Sequence, residues 1–248
     1  MPYSPRRRAP RHRVLTRGPR GRRIGQRGRM TRRRAFGATG LTVIAVVCAG
    51  YLTWEFVGTN LVARAQQRHA LSALVTAWGR QAPSTTTRGV AVDGVLRIPR
   101  FGAGYAVPLV EGTGAQSLAV GVGHVVGSAH PGDIGNLVLA GHRVTHGEPF
   151  RRLSTLQFGD EVVVETLDSG YVYRITSGTG GTIRLPDSAS WVLASSPRNP
   201  DRAGSGPSSS QRLITLLTCA ELFHTSDRFV VFGELVRTYP RIQAHPEA

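Results

Sequence analysis

From Gly89 onward the chain is a succession of short β-prone runs, none longer than ten residues, punctuated by glycine, proline and aspartate. The runs are Val90–Ile98, Tyr105–Val110, Asn136–His142, Glu161–Thr166, Tyr171–Ser177, Trp191–Ala194, Arg212–Cys219 and Arg228–Arg237. Runs this short and this rich in β-branched and aromatic residues, with turn residues between them, specify an all-β barrel or sandwich. Helical insertions are expected at Ala115–Val120 and Pro149–Leu156. The stretch Arg198–Ser210 holds Pro, Asn, Gly and Ser and no long apolar run. It reads as an exposed loop just before the run that ends at Cys219, where a substrate-gating loop would sit.

The chain ahead of this domain is built differently. Residues 1–34 hold 14 arginines and no acid, whereas the rest has 17 arginines against 15 acids. The high isoelectric point is therefore a property of the tail. A nucleic-acid role for the tail is disfavoured because aromatics are not interleaved with its arginines; a disordered, lipid-facing topology signal over residues 1–35 accounts for it. The absence of lysine points to a GC-rich coding bias. From Phe36 to Val57 an apolar stretch is long enough, at about 33 Å, to cross a bilayer as a helix. No small-residue cleavage pattern follows it, so the expectation is an uncleaved anchor with the N-terminus cytoplasmic and the rest outside. Cys48 lies inside this stretch and reads as a small packing residue. Residues 58–88 are expected to form a helix over Asn60–Gln81, either a stalk or a helix leaning on the domain, and a linker at Pro83–Thr87, leaving a domain over 89–240 and a short tail over 241–248.

Cys219 is the lone cysteine outside the apolar stretch, so it has no disulfide partner within the domain. It closes the run Leu213–Cys219, and His142 closes Asn136–His142 after a glycine. Arg228 opens a third run. A thiol, an imidazole and a guanidinium at three strand ends are the parts of a cysteine acyl-transfer site. A free thiol with a pKa of about 8.5 needs a neighbouring cation to ionise near neutral pH. His142 is the first candidate for that cation and Arg228 the second. The thiolate would attack a peptide carbonyl, the histidine would protonate the leaving amine, and Arg228 would hold the substrate carbonyl or the oxyanion.

Thr215-Leu216-Leu217-Thr218-Cys219 resembles the TLxTC signature of sortases, the membrane-anchored cysteine transpeptidases of Gram-positive surfaces. Leu139-Ala140-Gly141-His142-Arg143-Val144-Thr145-His146-Gly147-Glu148-Pro149-Phe150 resembles the histidine segment of class E sortases, and the match runs in order over about residues 90–237. The resemblance implies an eight-stranded sortase-type β-barrel with short helices, preceded by an N-terminal transmembrane helix. It implies catalytic roles for Cys219, His142 and Arg228, with substrate contacts from Thr215, Thr218, Ala220 and His146. The implied reaction cuts a sorting motif of Leu-Ala/Pro-x-Thr-Gly type between Thr and Gly and passes the acyl group to a peptidoglycan amine, without a cofactor. The implied partners are secreted proteins with C-terminal sorting signals, the amine acceptor and membrane lipid.

The sequence departs from class E at two positions. His146 stands where the family commonly has a tyrosine tied to substrate choice, and Ala220-Glu221 follows the cysteine where the family has His-Pro. Two other readings remain open: an L,D-transpeptidase-like Cys/His enzyme, whose His-Gly-Cys run is absent here, and a non-catalytic wall-binding domain of sortase descent. A metal held by His142 and His146 would need a helix at i, i+4 spacing, which Gly147 and the preceding strand oppose.

Overall fold

The computed structural model describes residues 26–177, 181–200, 210–219 and 226–241, leaving aside the side chains of 26–39, Phe56 and Cys219. The chain divides into two compact units, Met1–Ala49 and Gly50–Ala248. Three helices are described: α1 (Gln26–Thr53), α2 (Thr59–Gly79) and α3 (Ala115–Val120). Ten strands follow α2: β1 (Thr85–Thr87), β2 (Val90–Arg97), β3 (Val107–Glu111), β4 (Val122–His124), β5 (Gly135–Ala140), β6 (Glu161–Glu165), β7 (Ser169–Ile175), β8 (Ile183–Pro186), β9 (Arg212–Cys219) and β10 (Asp227–Pro240).

Eight of these strands close on themselves. The ring runs β2-β3-β4-β5-β9-β10-β7-β6 and returns from β6 to β2 through Val95↔Glu165, Leu96↔Val164 and Arg97↔Val163. Closure removes the open sheet edges that would otherwise invite pairing with another chain. β1 and β8 lie off the ring, on β2 and β10. The inward side chains form one core, with Leu96, Leu109, Leu137, Leu139, Phe150, Tyr173, Ile175, Ile214, Leu216 and Val231 all buried. β5 is buried at every position and pairs in parallel with β9, as expected for a strand covered on both faces.

The eight-stranded barrel expected from the sequence is therefore present, although its strands are not the same eight. Trp191–Ala194 is not a strand. Residues Ser190–Leu193 form a 3₁₀ turn, with Trp191 stacked on Phe232 at 5.7 Å, and the carbonyls of Val192 and Ala194 accept from the Asn136 amide rather than from a neighbouring strand. Val122–His124 and Ile183–Pro186, too short to stand out as β runs, are strands. Residues 85–87 also pair, as β1, through a hairpin turn at Arg88 and Gly89, both left-handed (φ 52° and 78°).

α2 is not a free stalk. Ala70, Leu74 and Trp78 pack against Val90, Val92, Val95, Val110, Val120 and Leu167 in a second core. Of the span expected over 36–57, the side chains of 36–39 and 56 lie outside the described residues; among the described residues no helix is long and apolar enough to cross a membrane. Threonines and glycines such as Thr42, Gly50 and Thr53 dilute that stretch. Its large apolar side chains, Leu41, Val43, Ile44, Val46, Val47, Tyr51 and Leu52, are exposed. Of the tail expected to be disordered over 1–35, residues 26–35 instead begin α1, while residues 1–25 fall outside the described residues, as do 201–209 of the expected loop, Ala220 and residues 242–248.

Candidate active site

Parallel pairing of β5 with β9 and antiparallel pairing of β9 with β10 bring three chain segments to one end of the barrel. Arg228 lies directly across from Cys219, at the head of an unbroken antiparallel ladder that continues through Phe229↔Thr218 to Glu234↔Leu213. On its other side Arg228 faces Leu185 of β8. Its guanidinium donates to the Asp227 carbonyl at 3.1 Å.

β5 stops at Ala140, and Gly141 and His142 continue past it. Two bonds tie this extension to β9 just ahead of the cysteine. Gly141 N–H donates to the Leu217 carbonyl at 3.2 Å, and the Thr218 hydroxyl donates to the Gly141 carbonyl at 2.7 Å. Position 141 must be glycine, since a Cβ there would meet the Phe150 ring at 2.7 Å. The His142 carbonyl in turn accepts from Phe150 N–H at 2.9 Å, so the backbone on either side of the imidazole is fixed.

The His142 ring stacks on His146, with centroids 4.7 Å apart and planes 24° from parallel. Burial, and then the neighbouring His146, push the His142 pKa down to about 4. Both effects oppose the charged form. At neutral pH His142 is therefore neutral. This corrects the expectation that His142 supplies the standing cation for the thiolate. Arg228, the second candidate from the sequence, lies opposite Cys219 and carries a permanent positive charge on the neighbouring strand. A neutral imidazole has a free acceptor nitrogen, so it can take the thiol proton as substrate binds and return it to the leaving amine.

Of the other expected site residues, Thr218 is 2% exposed and Thr215 is fully buried. Their hydroxyls are engaged, Thr218 with Gly141 and Thr215 with Asn136 Oδ1 at 2.8 Å. Each hydroxyl expected to meet substrate is thus bonded within the barrel. Ala220 lies outside the described residues. His146 is half-buried with φ 54°, and its Nδ1 is 3.0 Å from the Thr145 hydroxyl. His124 and His130 belong elsewhere. His124 is buried at the end of β4, bonded to Glu111 at 2.8 Å and Ser128 at 2.9 Å, and its strand leads away from the His142 end of β5.

Asn136 is the residue sequence reasoning missed. It is buried on β5, accepts from Thr215 and donates to the carbonyls of Val192 and Ala194, both at 3.0 Å. The 3₁₀ turn it anchors forms one wall of a mostly apolar cleft of about 160 Å³ beside Arg228. Val192, Leu193, Leu185, Leu217 and Val230 line it. A polar side chain within an otherwise apolar run was the signal in the sequence, since a buried amide demands partners.

A barrel of this topology, with a cysteine, an arginine and a histidine gathered at three strand ends, defines a class of cysteine acyl-transfer proteins. The family model described as the sortase domain matches residues 96–236, and the chain belongs to the sortase family. Sortases of class E are among its relatives. Sortase SrtE1 of Streptomyces coelicolor is 34% identical over 224 residues, covering 87% of this chain and 60% of that protein, so the chain spans about three fifths of that relative's length. Sortase E from Streptomyces avermitilis superposes with a TM-score of 0.52 at 33% identity over 60% of this chain and 90% of that one. Sortase E1 from Streptomyces coelicolor, solved with a tripeptide in its active site, gives 0.51 at 34% over 62% and 93%.

Proposed function

We propose that this protein is a cysteine transpeptidase. It cleaves a C-terminal sorting motif of Leu-Ala/Pro-x-Thr-Gly type between Thr and Gly and transfers the new carboxyl end to a cell-wall amine. The observation that carries the reading is the placement of Arg228 opposite Cys219, with the Gly141–His142 extension bonded to the residues just before that cysteine. The apolar cleft beside Arg228 supports a branched aliphatic residue at the head of the motif. In the reaction, the Cys219 proton passes to neutral His142 and the sulfur attacks the threonine carbonyl. The oxyanion is held by Arg228, and collapse expels the glycine amine with the proton from His142. The thioacyl bond to Cys219 is then broken by the acceptor amine, and the same histidine handles its proton.

His146 in place of the family tyrosine supports a weaker preference for alanine over proline at the second motif position. For localisation, the exposed apolar side chains of α1 and the arginine-rich flank support a position at the outer surface of the cell membrane, with the N-terminus cytoplasmic. The proposed partners are secreted proteins with sorting signals, a peptidoglycan amine and membrane lipid. The test uses quenched peptides Leu-Ala-x-Thr-Gly and Leu-Pro-x-Thr-Gly with wild type and Cys219→Ala. Cleavage of either by wild type alone supports the reading, and equal turnover by the variant overturns it.

A further inference from the structure

One face of α2 changes character along its length. Its buried positions are Asn60, Ala63, Gln67, Ala70, Leu74 and Trp78, spaced three or four apart. The last three lie over the barrel in an apolar core. Asn60 and Gln67 are amides, each only 7% exposed, and a buried amide on a helix must be paid for with partners. Both amides find partners in the segment that follows His142.

Asn60 contacts the segment three times. Its Nδ2 donates to the Val144 carbonyl at 3.1 Å and to Glu148 Oε1 at 2.9 Å, and its Oδ1 accepts from Gly147 N–H at 2.8 Å. Gln67 Nε2 donates to the His146 carbonyl at 3.1 Å. Arg64, one turn beyond Asn60, reaches Glu148 Oε2 at 3.3 Å, and Arg151 reaches the same oxygen at 2.8 Å. The Glu148 side chain is 8% exposed.

The segment has reason to need this grip. His146, Gly147 and Glu148 are three consecutive left-handed residues, with φ of 54°, 84° and 55°. The two that carry a Cβ are disfavoured in that conformation by its approach to the following carbonyl oxygen. Gly147 has a second constraint, since a Cβ there would stand 2.7 Å from Gln67 Nε2. Three left-handed residues in a row persist only where surrounding contacts over-determine them. The same turn places the His146 ring flat against the His142 ring.

We propose that Asn60 and Gln67 are positioning residues for the reaction, clamping the 144–148 turn so that His146 packs against His142 and holds it in its working place. The proposal rests on the transpeptidase reading only where turnover is measured. The helix that precedes the barrel is then part of the catalytic apparatus, and a barrel cut free of it would carry its three catalytic residues with the histidine poorly held.

The test compares full-length wild type, Gln67→Ala, Asn60→Ala/Gln67→Ala and Leu74→Ala. Leu74 is buried on the same helix against the barrel and belongs to the apolar half of its face. Two quantities are read: the His142 titration by NMR of labelled histidine, and kcat and KM for a sorting peptide. In wild type the expected titration of His142 is at about 4, lowered by burial and by His146. Release of the clamp exposes the ring and parts it from His146, so the titration of the double variant moves up towards the ordinary value. Its kcat falls about tenfold or more at unchanged KM, and Gln67→Ala moves both quantities the same way by less. Leu74→Ala lowers Tm but leaves the titration in place and kcat within about twofold. A double variant whose His142 still titrates with wild type overturns the proposal, as does a Leu74→Ala shift as large as the double variant's. The titration needs no turnover, so a wild type that fails to cleave any sorting peptide defeats the transpeptidase reading and leaves the clamp to be judged by the NMR result.

Discussion

The two halves of the active site are held by different means. Cys219 and Arg228 face each other across a regular antiparallel ladder, in which each strand fixes its neighbour through repeated backbone bonds. His142 stands beyond the end of β5, on an extension held by two bonds to β9 and followed by a turn of three left-handed residues that α2 grips from outside. The backbone positions of Cys219 and Arg228 are thus set by the sheet. The imidazole half borrows its rigidity from a helix remote in sequence. The difference teaches that the histidine is the part of this site that distant substitutions can disturb, whereas damage to the ladder would unfold the barrel.

The largest effect should come from the borrowed half. His142→Ala is expected to lower kcat/KM at least about 100-fold, since general acid–base catalysis contributes a factor of that order or more. His146→Ala, which removes the stacked neighbour but leaves the His142 ring, should cost about tenfold, as release of the 144–148 turn does. Steady-state kinetics on a quenched sorting peptide decide the matter, and an exchange of the two outcomes would break the assignment.

On the ladder side, Arg228→Lys keeps the charge opposite Cys219 but not the planar fork of donors. A fall in kcat of about tenfold is expected with the fold intact by circular dichroism. Wild-type kinetics for this variant would show that charge alone suffices and that the ladder supplies position only.

The smallest effect concerns stability. Because the folded-state pKa of His142 is depressed to about 4, the unfolded chain binds its proton more readily between there and the ordinary value near 6.5. Stability contributed at this position is therefore intact above the ordinary value and is lost as pH falls towards 4. Urea titrations of wild type and His142→Gln across pH 4–8 should give a stability difference that rises with pH over that window and is flat above it. A flat difference throughout would mean that the ring is not held in its buried place.

The ladder half was legible in the sequence because regular strands announce themselves. Arg212–Cys219 coincides with β9, and the run beginning at Arg228 falls inside β10. A thiol ending one strand and an arginine opening the next need only a simple hairpin-like pairing to meet. The imidazole half was legible only as to His142 itself. Residues 144–148 show no period, and Asn60 and Gln67 sit in a helix that reads as a stalk or as leaning on the domain, with partners more than 75 positions away that helical spacing does not reveal. Trp191–Ala194 misled for a related reason: its composition is that of a strand, but the Asn136 amide captures the carbonyls that a strand would need. Thr215 and Thr218 belong to the signature run, yet their hydroxyls serve the scaffold.

The central claim, that Cys219 carries the acyl group in a site completed by His142 and Arg228, is tested most directly by intact-protein mass spectrometry. The protein is mixed with a Leu-Ala-x-Thr-Gly peptide and quenched in acid before the acceptor amine is added. The expected result is a mass increase equal to the peptide up to its threonine. It should localise to Cys219, be released by hydroxylamine or an acceptor amine, and be absent from Cys219→Ala. Cleavage of the peptide with no adduct on Cys219, or an adduct that persists in Cys219→Ala, would contradict the account.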